Sequence, residues 1–261
     1  RQMCIRDRNG NDLDFIVYDY LAEITMSIMA RARAKDATKG YAVDFVSSVL
    51  KLNLRQIADQ KVKILSNAGG VNPEACAEAI RELIKELKLD LKVSVVLGDD
   101  LMTEKNKFSE LNTKEMYSNE DFPAEDKIAS INAYLGAFPI AEALKSGADI
   151  VITGRSVDSA VTLGACIYAF GWNEKEYDKL AAGSLAGHII ECGTQSTGGN
   201  FTDWELVSKD LHQIGYPIVE VSEDGSFDCT KSKNSTGMVS FGTVAEQMLY
   251  EIGDPQAYIL P

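Results

Sequence analysis

The sequence predicts an α/β fold: a mostly parallel β-sheet covered by helices on both faces, with a small hairpin-containing part towards the C-terminus. Short apolar runs without polar–apolar alternation, such as residues 150–152, are typical of strands that are buried on both faces. Stretches with helical periodicity separate these runs, which indicates parallel strands joined by helices. After Trp172 this pattern stops, and a hairpin follows.

Each element of the sheet region has its own signal. Apolar runs predict strands over 14–18, 62–66, 91–97 and 150–152. Apolar residues at helical spacing predict helices over about 21–34, 42–60 and 73–87, a short helix that ends at 144–147, and another that ends near 170. Asn72 is expected to be the N-cap of the third helix, with Pro73 as its first residue. Ser156 is expected to be a helix cap as well.

The other segments carry weaker signals. Residues 103–127 are highly charged and weakly periodic, so we expect a loop or a small cover over one sheet edge. A helix is predicted over 175–192 and leads into a glycine-rich loop. The runs 217–221 and 227–230 predict a hairpin, because Asp224 and Gly225 form a typical turn between them. A last helix is predicted over 245–252.

The composition is that of an ordinary globular protein. A chain of 261 residues can bury one large core or two modest ones, and we expect residues 9–261 to form a single α/β domain. The net charge of −13, from 26 basic and 39 acidic residues, disfavours nucleic acid or an anionic membrane as a partner. No apolar run reaches the roughly 18 residues of a spanning helix. Five cysteines without a CxxC pair indicate reduced thiols and a cytoplasmic location.

Both ends of the sequence have unusual features. Residues 1–8 fit no pattern that follows and look like translated adapter sequence, so they and Cys4 are excluded from the fold prediction. The chain has no initiator methionine and stops after an apolar stretch. We therefore expect a fragment that is truncated at both ends.

Polar residues follow each predicted strand, where parallel α/β sheets bind their ligands. These residues are Asp19 with Glu23, Ser66 with Asn67 and Asn72, Asp99 with Asp100, and Thr153 with Arg155, Ser156 and Asp158. Most such residues are turn or cap residues. Arg155 is different, because a guanidinium directly after a buried strand must meet an anion. The alternatives are an ion pair with Asp158 and a contact with a substrate carboxylate or phosphate.

Residues 183–204 combine an apolar helix with a glycine-rich polar loop. His188, Glu191 and Cys192 share one helix face there, at spacings i, i+3 and i+4. Four interpretations compete: packing of satisfied polar groups, acid–base chemistry by His188 or Glu191, a Cys–His nucleophile, and a metal site. Acid–base chemistry is the best of the functional ones, and we predict His188, Glu191 and Asp158 as catalytic residues and no metal.

The loop itself is a candidate ligand cradle. Thr197, Gly198, Gly199 and Asn200 could bind a phosphate or carboxylate through backbone N–H groups, and we predict them as substrate-binding residues with Arg155 and Asn67. The nucleotide, metalloprotease and hydrolase motifs G-x-G-x-x-G, G-x-x-x-x-G-K-[ST], H-E-x-x-H and G-x-S-x-G are missing. We therefore predict no cofactor, and a nucleotide-binding protein becomes the least favoured alternative.

Three segments resemble one known family. Residues 132–141, 148–160 and 180–204, with weaker support from 67–70 and 243–252, are similar to the acyclic terpene utilisation protein family, AtuA. The similarity extends over roughly residues 12–261. It implies cytoplasmic bacterial proteins that are linked to the breakdown of citronellol and geraniol, beside acyl-CoA carboxylase subunits.

The resemblance implies a chemical setting rather than a reaction. Our leading hypothesis is a catabolic enzyme that acts on a branched acyl-CoA or the related acid by lyase- or hydratase-type proton chemistry. The alternative is a non-catalytic accessory subunit of an acyl-CoA carboxylase or another pathway enzyme. The enzyme hypothesis implies a small-molecule substrate, and both hypotheses are compatible with a homo-oligomer.

Overall fold

The structure is a computed structural model that describes residues 13–111 and 113–260. The predictions about residues 1–8, including Cys4, lie outside the described residues.

The described chain contains a parallel sheet of four strands, as the apolar runs predict. The strands are β1 (Phe15–Tyr18), β2 (Lys63–Ser66), β3 (Val93–Val96) and β4 (Ile150–Thr153). Their order in space is β1-β2-β4-β3, and every neighbouring pair is parallel. The strand β4 is central and fully buried, whereas β3 lies at an edge and is only partly buried.

Helices follow the strands along the chain. The α-helices are α1 (Glu23–Lys35), α2 (Lys51–Asp59), α3 (Pro73–Glu86), α4 (Lys105–Glu110), α5 (Phe138–Lys145), α6 (Ala160–Phe170), α7 (Tyr177–Glu191) and α8 (Phe241–Leu249). Short 3₁₀ turns lie at Met102–Glu104, Glu125–Lys127, Gln195–Thr197, Trp204–Leu206 and Leu211–Gln213.

The sheet separates two hydrophobic cores, which confirms the prediction of helices on both faces. Successive strand residues point to opposite faces. Ile64 and Ile150 accordingly face a core with the helices of residues 23–86, whereas Leu65 and Val151 face a core with α5, α6 and α7. Both faces of the central strands are therefore covered, which explains why their sequences do not alternate.

The predicted hairpin is present. It consists of β5 (Pro217–Val221) and β6 (Phe227–Lys231), which pair antiparallel. Gly225 in the turn has a φ of +92°, which glycine adopts without a steric penalty. Apolar hairpin residues pack against the core of α5, α6 and α7, so the hairpin extends that side of the molecule.

Several element boundaries differ from the prediction. The helix expected over 42–60 begins as a π-helix, Phe45–Leu50, and continues as α2. The segment 103–127 forms short helical turns. The last helix begins at Phe241 rather than at 245, because Ser240 and Thr243 form a capping box: the Ser240 hydroxyl accepts the Thr243 N–H at 3.2 Å.

The two predicted caps have different outcomes. Asn72 occupies the N-cap position of α3, but its side-chain amide donates to the carbonyls of Ala37 and Lys39 instead of capping the helix. The prediction for Ser156 is wrong, because α6 begins four residues later with Ser159 at its N-cap. The Ser156 hydroxyl is buried without a hydrogen-bond partner among the described residues.

None of the helices in the described ranges combines the length and the apolar character needed to cross a membrane.

Candidate functional site

Arg155 lies at the carboxyl end of β4 and is surrounded by acidic and aromatic groups. Its Nη1 donates to Asp158 Oδ1 at 2.6 Å and to the Leu21 carbonyl at 3.2 Å. Its Nη2 lies 3.5 Å from Glu23 Oε1. The guanidinium carbon stacks 4.3 Å from the ring centroid of Tyr134, a cation–π contact. The anion expected beside this buried guanidinium is thus Asp158, reinforced by Glu23.

Asp99 at the end of β3 positions the Arg155 backbone. Its Oδ2 accepts the Arg155 N–H at 2.7 Å and the Asn132 side-chain amide at 2.9 Å. The carboxylate lies so close to Gly154 that a Cβ there would be 2.4 Å from both oxygens. A side chain at residue 154 would therefore displace the Asp99 carboxylate. Burial raises the pKa of Asp99, while the Arg155 and Asn132 hydrogen bonds oppose that rise.

Asn67 and Asp19 form a buried pair at the ends of β2 and β1. The Asn67 amide donates to Asp19 Oδ1 at 2.5 Å, and Asn67 Oδ1 accepts the Tyr20 N–H at 2.7 Å. Burial and the nearby charge of Asp158 raise the pKa of Asp19 to about 6, against the opposing effects of Asn67 and Arg155. Asp19 can therefore exchange a proton near neutral pH.

His188 and Glu191 form a second buried pair in the last turn of α7. The distance from His188 Nδ1 to Glu191 Oε1 is 2.9 Å, and each side chain is only 6% exposed. The His188 Nε2 atom is buried and has no hydrogen-bond partner among the described residues. The backbone carbonyl of His188 accepts the Gln247 amide at 2.7 Å, so α8 helps to hold this turn in place.

The two pairs influence each other electrostatically. Burial raises the pKa of Glu191 to about 7; the charges of Asp158 and Asp19 add to the rise, and His188 opposes it. Burial alone would lower the pKa of His188, but the hydrogen bond and charge of Glu191 outweigh it and the pKa is raised. Asp158 thus couples the strand-end residues to the end of α7.

The structure brings most of the predicted site residues together: Asn67, Arg155, Asp158, His188 and Glu191 belong to this coupled group. None of the hydrogen bonds described for the turn of residues 197–200 connects this turn to the group. Thr197 Oγ1 lies 2.6 Å from the Gly215 carbonyl, and Gly199 N–H donates to the Thr194 carbonyl at 2.8 Å.

The turn is nevertheless anchored close to His188. The Ser196 hydroxyl donates to the carbonyl of Ile189, the residue after His188. Gly198 has a φ of +106° and is buried, whereas Gly199 and Asn200 are exposed. The role of residues 197–200 in substrate binding stays a prediction.

The remaining candidate residues are placed as follows. Cys76 and Cys166 are buried in the two cores, as expected. Cys192 Sγ lies 3.9 Å from Glu191 Oε1. In the described part of the chain no three His, Cys, Asp or Glu side chains are grouped so that they could hold a metal ion.

Sequence reasoning missed two aromatic residues of the site. Tyr134 covers the Arg155 guanidinium and donates to Glu23 Oε1 at 2.6 Å. Burial raises the pKa of Tyr258, and the charges of Glu191 and Asp158 add to the rise. Neither residue is marked by helical or strand periodicity, although Tyr134 lies within the family-like segment 132–141.

The fold and the site define an α/β protein with a buried, titratable cluster at the carboxyl edge of its parallel sheet. The family model for acyclic terpene utilisation family protein AtuA matches residues 3–261. The chain therefore belongs to this family, which confirms the resemblance and links the protein to acyclic terpene utilisation. No curated protein and no solved structure matches the chain.

Proposed function

We propose that the protein is a catabolic enzyme of acyclic terpene degradation that acts on a branched acyl-CoA or the related acid by lyase- or hydratase-type proton chemistry. The observation that carries this proposal is the Glu191–His188 pair. A carboxylate on Nδ1 orients the imidazole and leaves Nε2 for proton transfer. A buried imidazole nitrogen without a partner is costly for a purely structural residue.

The pKa values support acid–base chemistry near neutral pH. A general acid or base works best when its pKa lies near the working pH, because both protonation states are then populated. Glu191, with a pKa of about 7, and Asp19, with a pKa of about 6, satisfy this condition. In the proposed reaction His188 Nε2 takes or returns the proton at the reacting carbon or water, with Glu191 as its partner. Asp158 is the third group proposed to transfer protons, after His188 and Glu191.

Substrate binding is assigned to the groups around Arg155. Its guanidinium would hold the carboxylate or thioester oxygen, and Asn67 would supply a further substrate contact. The backbone N–H groups of residues 197–200 would hold a second anionic part of the substrate, such as a phosphate. The proposal requires no cofactor and expects a cytoplasmic enzyme.

One observation favours the alternative, a non-catalytic accessory subunit in an acyl-CoA carboxylase pathway. Arg155 is already neutralised by Asp158 and Glu23, as expected for a structural ion pair. In that case the cluster would stabilise the sheet edge, and a partner protein would supply the chemistry.

The test is a screen of the purified protein against branched hydroxy- and unsaturated acyl-CoA thioesters, with Glu191→Gln and Arg155→Ala as variants. Glu174→Gln is the control, because Glu174 is exposed near the start of α7. If turnover is found, Glu191→Gln should lower kcat by about 100-fold or more, and Arg155→Ala should raise KM. Full turnover in both variants would refute the assignment. No turnover, together with co-purification of a carboxylase, would favour the accessory role.

A further inference from the structure

Helix α8 presents apolar side chains to solvent. Phe241 is 92% exposed, Leu249 is 67% exposed, and Met248 is exposed as well. With about 3.6 residues per turn, these three positions lie within an arc of about 100° on the helix. They therefore form one apolar stripe, whereas single exposed apolar residues scattered over a surface are ordinary.

The two buried residues of α8 are polar. Thr243 and Gln247 lie on the side of the helix opposite the stripe. Thr243 forms the capping box with Ser240, and the Gln247 amide donates to the His188 carbonyl at 2.7 Å. A surface helix normally buries its apolar face. Because these hydrogen bonds hold the polar side of α8 inward, its apolar stripe is left for a partner from outside the described chain.

The segment that precedes Trp204 packs on α8 and extends this surface. A Cβ at Gly242 would lie 2.9 Å from the Phe201 ring, and Glu246 accepts the Thr202 N–H at 3.0 Å. Trp204 is exposed. Its Cα lies within about 8 Å of the Thr202 Cα, because consecutive Cα atoms are about 3.8 Å apart. The α8 surface is defined here as Phe241, Met248, Leu249 and Trp204.

The surroundings of the α8 surface are acidic. Residues 200–210 and 241–254 contain a single basic residue, Lys209. Their acidic residues are Asp203, Glu205, Asp210, Glu246, Glu251 and Asp254, and all except Glu246 are exposed. Negative charge here repels an anionic membrane, and it repels a second copy of the chain, whose net charge is −13. A partner with positive charges beside an apolar face complements this surface.

We propose that the α8 surface binds an amphipathic helix of a partner protein whose apolar residues are flanked by lysine or arginine. The stripe from Phe241 to Leu249 is about 12 Å long, which corresponds to about two turns of a partner helix. Helices pack on one another through side-chain ridges of this kind. Aromatic residues such as Phe241 and Trp204 are enriched in protein interfaces. The inference is independent of the proposed enzymatic activity and of the residues around Arg155.

The test is the binding of fluorescently labelled model peptides to the native chain, measured by anisotropy. The probe is an amphipathic helical peptide of leucine and lysine, and the same peptide with glutamate in place of lysine is its control. The lysine peptide should bind, and added salt should weaken its binding, because the acidic surroundings attract it. The proposal is overturned if the lysine peptide does not bind or if the glutamate peptide binds equally well.

Two pairs of variants locate the binding on the α8 surface. Phe241→Ala should raise the Kd of the lysine peptide by about tenfold or more, because it removes a large apolar contact. Leu52→Ala is the matched control, because Leu52 is an equally apolar, exposed residue on α2. Glu205→Lys should weaken binding more than Glu82→Lys, a change at an exposed position on α3. Equal Kd values within either pair would contradict the proposal.

Sedimentation of the chain without peptide tests a second copy as the competing occupant. A monomer, or a dimer that persists in Phe241→Ala, leaves the α8 surface to the partner helix and supports the proposal. A dimer that dissociates in Phe241→Ala assigns the surface to a second copy and overturns the proposal.

Discussion

Replacing Gly154 by alanine should disrupt the support of Arg155. The new Cβ would lie 2.4 Å from both Asp99 carboxylate oxygens, so the carboxylate must move away from the backbone. Asp99 would then lose its hydrogen bonds from the Arg155 N–H and the Asn132 amide. Hydrogen bonds to a charged group contribute about 1.5–3 kcal/mol each, so the loss is about 3–6 kcal/mol.

A smaller effect acts in the opposite direction. Alanine restricts the unfolded chain relative to glycine, which stabilises the folded state by about 0.4–1 kcal/mol. The net expectation for Gly154→Ala is a free energy of unfolding that is lower by about 2–5 kcal/mol, measured by urea denaturation. Gly253→Ala is the control, because a Cβ there would meet nothing within 4 Å. If the two variants are equally stable, the role assigned to Asp99 is wrong.

Two further predictions concern the charged groups of the site. The Glu191 pKa of about 7 lies above the ordinary 4.5, so the folded state binds the carboxyl proton more tightly than the unfolded state does. That stabilisation is complete below about pH 4.5 and is lost as the pH rises through about 7, and it amounts to roughly 3 kcal/mol. The unfolding free energy of the wild type, relative to Glu191→Gln, should fall by up to that amount between these pH values; a constant difference in urea titrations would refute the shift. Arg155→Lys keeps the charge but cannot reproduce the contacts with Asp158, Leu21 and Glu23, so it should lower the unfolding free energy by about 2 kcal/mol. The exposed pair of Arg81 and Glu78 supplies the control, because Arg81→Lys should lower the unfolding free energy by less than about 0.5 kcal/mol. Similar losses in both variants would contradict the role assigned to the Arg155 guanidinium.

The parallel sheet was predictable because its signal is local. Residues 150–152 form a continuous apolar run, and the preceding and following helices show their own periodicity. The order of the strands was not predictable. Strand β4 lies between β2 and β3, which places the third strand of the chain at an edge, and only contacts over long sequence separations determine this order.

Local hydrogen bonding explains the boundary errors. Ser240, followed three residues later by Thr243, starts α8. This pair is a variant of the usual capping box, and the apolar pattern does not reveal it. Ser156 is a plausible cap by residue type. However, the chain first pairs residue 156 with Leu135 and begins α6 only afterwards.

The candidate site was predictable to the extent that its contacts are local. Arg155 with Asp158 and His188 with Glu191 are both i, i+3 pairs, and the sequence alone suggested both. The contacts of Glu23 with Tyr134 and Arg155 span more than 100 residues and have no sequence signal. The raised pKa of Glu191 depends on burial and on distant carboxylates, which only the folded chain brings together.

The proton-handling pair at the end of α7 can be tested directly by NMR. The chain contains two histidines, His188 and the exposed His212, so imidazole resonances can be followed individually during a pH titration. The pKa of His188 should lie above the ordinary 6.5 in the wild type and should fall in Glu191→Gln, while the His212 resonances should superimpose in the two proteins. A His188 titration that is unchanged by Glu191→Gln would contradict the pairing on which the proposed function depends.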